Sequence, residues 1–419
     1  MRGEIIAVGD ELTSGRIANT TSYFAAARLF AAGYEVPVLS TVADDQALIS
    51  ATLLQALERA DFVIVTGGLG TTSDDLTNEA VSQALARPAT LYPEILRKIQ
   101  ANSQHLSPRA RKSLEKLAWL PDGAHSLHSE AKSAGYFLVH QGKPVFFLPG
   151  VPHEMRELLV EAVLPRLAVW EEQPAHHVRQ RVFRVSGLME SEINQCLSEL
   201  EGRDSRVKIG YYPVFPEVQV SLAIRAAEEA AAESLLAEVA AEIERRLGDH
   251  IYGLESDSLE EVLGRLCREQ GTSLAVAESC SGGRIAAAIT AAPGASAYFG
   301  GGVVAYSNEL KERILGVSPA TLAAHGAVSA AVAEEMAAGV RRLTGAALAV
   351  SATGIAGPTG GSAEKPVGTV FIGVAAAAGV RAELCHFRGN RRQIQELTSH
   401  RALDMLRRTL LAASRSPKE

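Results

Sequence analysis

Long apolar runs are missing from this 419-residue sequence. Although 47% of it is hydrophobic, no stretch approaches the roughly 18–20 apolar residues that a membrane-crossing helix needs. A charged-then-apolar leader is missing too, since Glu4–Val8 already reads as a first strand. A cytoplasmic protein with no membrane partner is expected. Cysteine is scarce: Cys196, Cys267, Cys280 and Cys385 form no C-x-x-C and no metal-ligand spacing. Reduced thiols are expected, and a structural zinc site is not. Nor is there a block of one charge sign. Net charge is −7 with acids and bases interspersed, and the basic stripe that meets a nucleic-acid backbone is absent. This argues against DNA or RNA as the main ligand and leaves room for a local arginine cluster around a small phosphorylated molecule. Lysine is scarce as well, at nine of the 41 basic residues, the other 32 being arginine.

What is present suffices for two or three globular domains. Residues 1–170 alternate short β-branched runs with amphipathic helical stretches. Strand Glu4–Val8, a helix from about Asn19 to a stop at Gly33, strand Glu35–Val42, a helix from Asp44 to about Ala60 and strand Asp61–Thr66 come in that order. The apolar runs are continuous, as in parallel strands covered on both faces. Such open sheets bind ligands where loops leave the carboxyl ends of strands. Residues 171–255 read as a small α+β module, with strands Arg181–Val185 and Val218–Ile224 around a helix near Ser191–Leu200, then helix Ala226–Leu247.

Residues 256–415 read as a second α/β domain. Helix Leu259–Gln270 leads to strand Ser273–Ala277, a glycine-rich turn and helix Gly282–Ala291. Strands Gly302–Tyr306, Ala346–Val350 and Gly368–Ala375, helix Ala330–Leu343 and a last helix from about Arg392 to Leu411 complete it, before a frayed tail Ser414–Glu419. The fold class is therefore α/β, two three-layer domains joined by the small module.

Three loops carry the signal in the first domain. The first strand runs into Gly9-Asp10-Glu11, with Asn19 at the next helix start. The third runs into Thr66-Gly67-Gly68-Leu69-Gly70-Thr71-Thr72-Ser73-Asp74-Asp75-Leu76-Thr77, and Val145–Leu148 into Pro149-Gly150. Glycines after a strand let backbone approach a phosphate closely. Paired acids beside such a turn make sense if a hard divalent cation sits between carboxylate and phosphate; capping of the following helix is the competing role for Asp74 and Asp75. Four acids at two strand ends favour a metal–phosphate site of Asp10, Glu11, Asp74 and Asp75, with Gly67, Gly68, Gly70 and Asn19 meeting the ligand.

The second domain has the denser constellation: Glu278-Ser279-Cys280-Ser281-Gly282-Gly283, Gly294-Ala295-Ser296, Tyr306-Ser307-Asn308-Glu309-Leu310-Lys311, Thr353-Gly354-Ile355-Ala356-Gly357 and Lys365-Pro366-Val367-Gly368-Thr369. A Ser-Cys-Ser-Gly-Gly turn between strand and helix offers hydroxyls and amides that can hold a phosphate or an oxyanion. Amide hydrolysis needs a nucleophile, a proton acceptor and oxyanion donors. There is no G-x-S-x-G elbow and no serine–histidine motif. A desolvated lysine can act as base, which an arginine cannot. Residues 256–415 hold two lysines, Lys311 and Lys365, both inside these motifs. Tyr306 can relay a proton or position the lysine. The Cys280 thiol at a helix start is a rival nucleophile, more often a packed side chain.

The run Thr66–Thr77 resembles the T-G-G-x-G-x-x-x-x-D-x-T signature of molybdopterin-binding domains of the MogA/MoaB type, and its form with Leu69 and a double Asp resembles the CinA family. Thr71 stands where that family has proline, and His128–Tyr136 keeps little beyond Gly135 of an N-P-x-G-T-A-P-G-F segment. The C-terminal motifs resemble the CinA C-terminal domain, also found alone as PncC, a nicotinamide mononucleotide amidohydrolase. The resemblance implies metal-dependent hydrolysis of ADP-ribose to AMP and ribose 5-phosphate in the first domain. In the second it implies deamidation of nicotinamide mononucleotide without a cofactor, and it implies a homodimer. Matched by position, it implies a serine nucleophile helped by Tyr306 and Lys311, with Ser279, Ser296 and Thr353 in the site. Gly282, Gly283, Gly354 and Gly357 then line the substrate, and Arg391 or Arg392 meets its phosphate. Ser296 is favoured as the attacker, because Ser279 sits where an anion-binding turn is wanted. By position the small module resembles a KH-type fold; without a G-x-x-G loop it reads as a spacer or dimerisation element. The competing expectation is a non-catalytic molybdopterin carrier or a competence- or recombination-associated interaction protein.

Overall fold

Ile5, Ile6, Ala7 and Val8 are buried side by side, as a strand covered on both faces requires. In the computed structural model, which describes residues 1–72, 74–127, 135–170 and 177–415, they belong to strand Arg2–Val8. That strand pairs in parallel with Glu35–Val42 and with Phe62–Thr66. Lys143–Leu148 extends the parallel set, and Tyr136–His140 and His125–Ser126 close the sheet antiparallel. The strands named from the sequence are thus parallel, as their continuous apolar runs predict, and the sheet is mixed at one edge. Alternate residues serve two cores: Ile6, Val63 and Val65 pack on one face, Ile5, Phe62 and Ile64 on the other. Helix Thr20–Ala31 starts at Asn19, whose side chain accepts from the Ser22 amide, and helix Gln46–Arg59 starts at Asp45, which accepts from the Leu48 amide.

Helices Pro93–Asn102 and Pro108–Leu114, each opened by a proline, were not foreseen. Most of the His128–Tyr136 segment and Ser73 lie outside the described residues.

The small module carries four strands where two were expected, in the order Val207–Val214, Glu217–Ala226, His177–Val185, Ile251–Leu254. The chain divides into two compact units, Met1–Arg179 with Ile224–Leu235 and Gln180–Ala223 with Leu236–Glu419. Most of the small module therefore clusters with the C-terminal α/β domain.

The C-terminal sheet runs Phe299–Val304, Leu274–Glu278, Leu348–Gly354, Thr369–Ala376, Gly379–His386. The first three strands are parallel and the last two antiparallel. Helix Leu259–Gln270 opens on a Ser258–Glu261 capping box and ends at left-handed Gly271. The last helix, Arg391–Arg415, spans 25 residues and takes in Ser414 and Arg415, which were expected to fray. Its Asp404 is fully buried and pairs with Arg401, Arg407 and Arg408 at 3.2, 2.6 and 2.8 Å. From the same helix, Arg415 reaches Asp249 at 2.7 Å, Arg408 the Nδ1 of His250 at 3.1 Å, and His400 the Ser186 hydroxyl at 3.0 Å. Among the described residues, no helix is long and apolar enough to cross a membrane.

Candidate functional site

Parallel pairing of Glu278 with Val304 and of Glu278 with Ala352 aligns the carboxyl ends of three strands of the second unit. The turn at Ser279, the turn at Tyr306 and the Thr353 loop therefore leave the sheet at one end. Helix Asn308–Leu315, capped by the Ser307 hydroxyl on the Leu310 amide, places Lys311 inward. Lys311 is 2% exposed, and its Nζ lies 3.1 Å from Ser279 Oγ and 2.9 Å from the Ala305 carbonyl oxygen. Burial pushes its ammonium pKa down, because a charge is disfavoured away from water.

Ser296 lies elsewhere. It sits in the short helical turn Ala295–Ala297, before strand Phe299–Val304 begins, and Phe299 aligns with Leu274 at the amino end of the neighbouring strand. Five residues of strand separate the two ends, about 16 Å at the usual rise. Within the chain, geometry brings Ser279 to Lys311 and keeps Ser296 at the far end of the sheet.

The reason for preferring Ser296 also changes. Glu278, fully buried, places Oε2 2.8 Å from the Gly283 amide and 3.2 Å from that of Ile285, and Oε1 2.8 Å from that of Ala286. The anion at this helix start is thus the chain's own carboxylate, and Gly283 gives its amide to Glu278. Gly282 and Gly283, with φ of 64° and 93°, supply the left-handed backbone that brings the helix back over that carboxylate. Sequence reading passed over Glu278; an acid directly before a Ser-x-Ser-Gly-Gly turn is the signal that could have found it.

The remaining predicted residues divide. Arg391 donates through Nη2 to the Tyr306 hydroxyl and through Nη1 to the Gly357 carbonyl, both at 2.8 Å. Tyr306 is 60% exposed. Arg392 points away, its side chain 79% exposed and paired with Glu396. Thr353 gives its hydroxyl proton to the Ala327 carbonyl at 2.7 Å and is buried, so that proton is committed. A Cβ on Gly354 would stand 2.7 Å from the Thr369 carbonyl, which is why glycine is needed there. Lys365 holds the carbonyls of His325 and Val328. Cys280 is buried in the apolar core, and burial pushes its thiol up to about 12, far from the thiolate a nucleophile needs.

In the first unit, a cavity of about 550 Å³ opens at the strand carboxyl ends. Gly67–Gly70, Glu11, Asp44, Asp74 and Asp75 line one side, and Ile95, Ile99, Leu106, Leu114, Leu117 and Leu120 line another. Gly67 has φ 101°, and a Cβ there would meet the Val8 carbonyl at 2.2 Å. The Asp75 carboxylate is engaged within its own turn: it accepts from the amides of Gly70 and Thr72, at 2.7 and 2.8 Å, and from the Thr72 hydroxyl at 2.6 Å. It closes the turn. Lys116 fastens the same turn, donating to the Asp75 carbonyl at 2.7 Å. Asn19 caps its helix, with its amide nitrogen 3.2 Å from the Thr41 hydroxyl, and is not part of the cavity wall.

Asp44 joins the acid set that sequence reading had assigned elsewhere. Burial raises its pKa, and Asp10, Glu11 and Asp74 add to the rise, against a lowering hydrogen bond from the Asp10 amide. Asp10 and Asp44 exchange backbone-to-carboxylate bonds of 2.8 and 3.2 Å. Among the described residues, no three His, Cys, Asp or Glu side chains form a ready cation cage. A cation such as Mg²⁺ uses one or two carboxylates plus substrate phosphates; Asp44 and Asp74 both line the cavity.

Residues 4–169 match the family described as "Probable molybdopterin binding domain", residues 180–253 the "Damage-inducible protein CinA KH domain" and residues 256–410 the "CinA C-terminal domain". A CinA-like protein of Desulfotalea psychrophila is 49% identical over 97% of this chain and 98% of its own length. Another, from Citrifermentans bemidjiense, is 40% identical over 100% of this chain and 99% of its own. A solved "Competence-Damaged Protein (CinA) Superfamily Protein" from Klebsiella pneumoniae is 34% identical, with 37% of this chain and 96% of that chain covered and a TM-score of 0.36. With relatives this similar along its whole length and its three segments matched in order, the chain belongs to the CinA family.

Proposed function

We propose that the C-terminal domain hydrolyses the carboxamide of nicotinamide mononucleotide to nicotinate mononucleotide and ammonia, with Ser279 as nucleophile and Lys311 as its base. The 3.1 Å approach of Lys311 Nζ to Ser279 Oγ carries this reading. Neutral Lys311 takes the Ser279 proton as Oγ attacks the carboxamide carbon. The tetrahedral intermediate collapses as the lysine ammonium returns that proton to the departing nitrogen, releasing ammonia and leaving an acyl ester on Ser279. A water molecule, deprotonated by the same lysine, then hydrolyses the ester. Among the described residues, the Cys280 and Ser281 amides of the turn face only the weakly accepting Cys280 sulfur; they are the oxyanion donors in this scheme, the substrate oxygen displacing that contact. Arg391, held beside Tyr306 and Gly357, receives the substrate phosphate.

For the N-terminal domain we propose hydrolysis of ADP-ribose to AMP and ribose 5-phosphate in the cavity beside Gly67–Gly70. Asp44 and Asp74 would hold a divalent cation, which when bound supplies charge neutralisation at the pyrophosphate. The loop glycines approach the phosphates, and the apolar wall takes the base. The match to a molybdopterin-binding family favours one further reading, a pterin carrier without hydrolysis. Purified full-length protein decides among these. Ammonia release from nicotinamide mononucleotide that persists in EDTA and vanishes in Ser279→Ala supports the amidase. ADP-ribose hydrolysis that EDTA stops supports the first-domain reading, whereas pterin binding without hydrolysis sinks it.

A further inference from the structure

Glu278 is a buried carboxylate with no cationic side chain on it among the described residues. Isolated burial of a carboxylate is costly. Here three backbone N–H groups offset it, from Gly283, Ile285 and Ala286, at the positive end of helix Arg284–Ala291. The next residue in the chain is Ser279. Its amide donates to the Ala352 carbonyl at 2.9 Å, and its own carbonyl accepts from the Gly282 amide at 3.2 Å. Ser279 is thus bracketed on one side by the neighbouring strand, on the other by a helix start that Glu278 ties to its own strand.

We infer that Glu278 is a positioning residue for the Ser279–Lys311 pair. It is a built-in anion that fixes the turn so that Oγ faces Nζ, and it closes the helix start to the substrate phosphate, leaving that group to Arg391. A turn free to swing would carry Oγ out of the 3.1 Å contact, and a misplacement of about 1 Å can cost about 100-fold in rate. The kinetic half of this inference rests on the amidase reading; the structural half does not.

The test uses full-length Glu278→Ala and Glu278→Gln with nicotinamide mononucleotide, and a thiol reagent read by peptide mapping at Cys280, which is buried in the turn, Cys196 being exposed. Glu278→Ala should keep a cooperative melt and lose about 100-fold in kcat with KM within about threefold. Acetate, entering the vacated space, should restore at least roughly tenfold, and chloride at equal ionic strength should not. Cys280 should become reactive in this variant and be protected again by acetate. Glu278→Gln fills the space without charge, so it should be slow and not rescued, which decides the matter if the alanine variant does not fold. Near wild-type kcat in either variant, or acetate no better than chloride in a folded Glu278→Ala, overturns the inference. If wild-type protein releases no ammonia, the amidase reading fails by itself. The thiol arm still judges Glu278, and an unreactive Cys280 in Glu278→Ala rejects it.

Discussion

Arg391 donates to the Tyr306 hydroxyl at 2.8 Å across 85 positions of sequence, joining the start of the last helix to the turn that leads to the lysine. Its immediate neighbour Arg392 is spent on Glu396 in solvent. Arg391→Ala should therefore raise KM for nicotinamide mononucleotide roughly 10- to 100-fold, the loss of one charge-assisted contact, with kcat changed little. Arg392→Ala should leave both within about twofold. Steady-state kinetics on the two variants check this, and equal effects from both would remove Arg391 from the phosphate.

Lys311→Arg keeps the charge and cannot accept a proton, so deamidation should fall by about 10²–10⁴-fold. Because the neutral amine is the working form, the wild-type rate should rise with pH and level off once Lys311 has lost its proton. Burial lowers that pKa, so the plateau should come below the free-lysine range. A rate that falls with rising pH across this limb would reject Lys311 as base.

Cys280→Ser should stay within about tenfold of wild type, as expected of a small packed side chain. With its thiol pushed up to about 12, wild-type Cys280 should also resist alkylation at neutral pH. Loss of several orders of magnitude in Cys280→Ser would make the thiol the nucleophile.

His400 gives a stability prediction. Burial holds its pKa down at about 4, against an ordinary 6.5, with Arg401, Arg407 and Arg184 adding to the fall and Asp404 opposing it. A depressed folded pKa means the contribution is whole above about pH 6.5 and lost as pH falls toward 4, about 3 kcal/mol in all. Melting temperature should drop over that window in wild type and drop less in His400→Gln. Parallel pH profiles for the two proteins would contradict this.

Much of this was legible in the residues. Strand Glu35–Val42 and helix Leu259–Gln270 have the bounds the pattern predicted, because turn and cap residues flank them. The antiparallel strand Gly379–His386 was not foreseen: only Cys385 in it is buried, so no apolar run announces it. The Lys311–Ser279 partnership was half visible. A lysine among arginines drew attention, but the choice of serine needed the sheet. In a parallel pair, the loop leaving one strand and the loop entering its neighbour lie at opposite ends of the sheet, so within one chain Ser296 stands away from Lys311. Glu278 was read as one residue of the motif after strand Ser273–Ala277, with no role of its own, and Asp44 as a helix start. Their roles depend on backbone amides that only the folded turn brings to them.

The last helix has a mechanical consequence. It contains neither proline nor glycine, so it has no hinge, and at 25 residues it is a rod of about 37 Å. Arg391 stands at one end and Arg415, bound to Asp249 of the small module's last segment, at the other. Arg401 on Glu383 and Arg407 on the carbonyls of Asp249 and Ile251 hold the rod along the way. Whatever grips or shifts that end of the module turns the rod as one piece, and Arg391 moves with it. With Arg391 as the proposed phosphate contact, a load on the module would change substrate affinity without any rearrangement at Ser279 or Lys311.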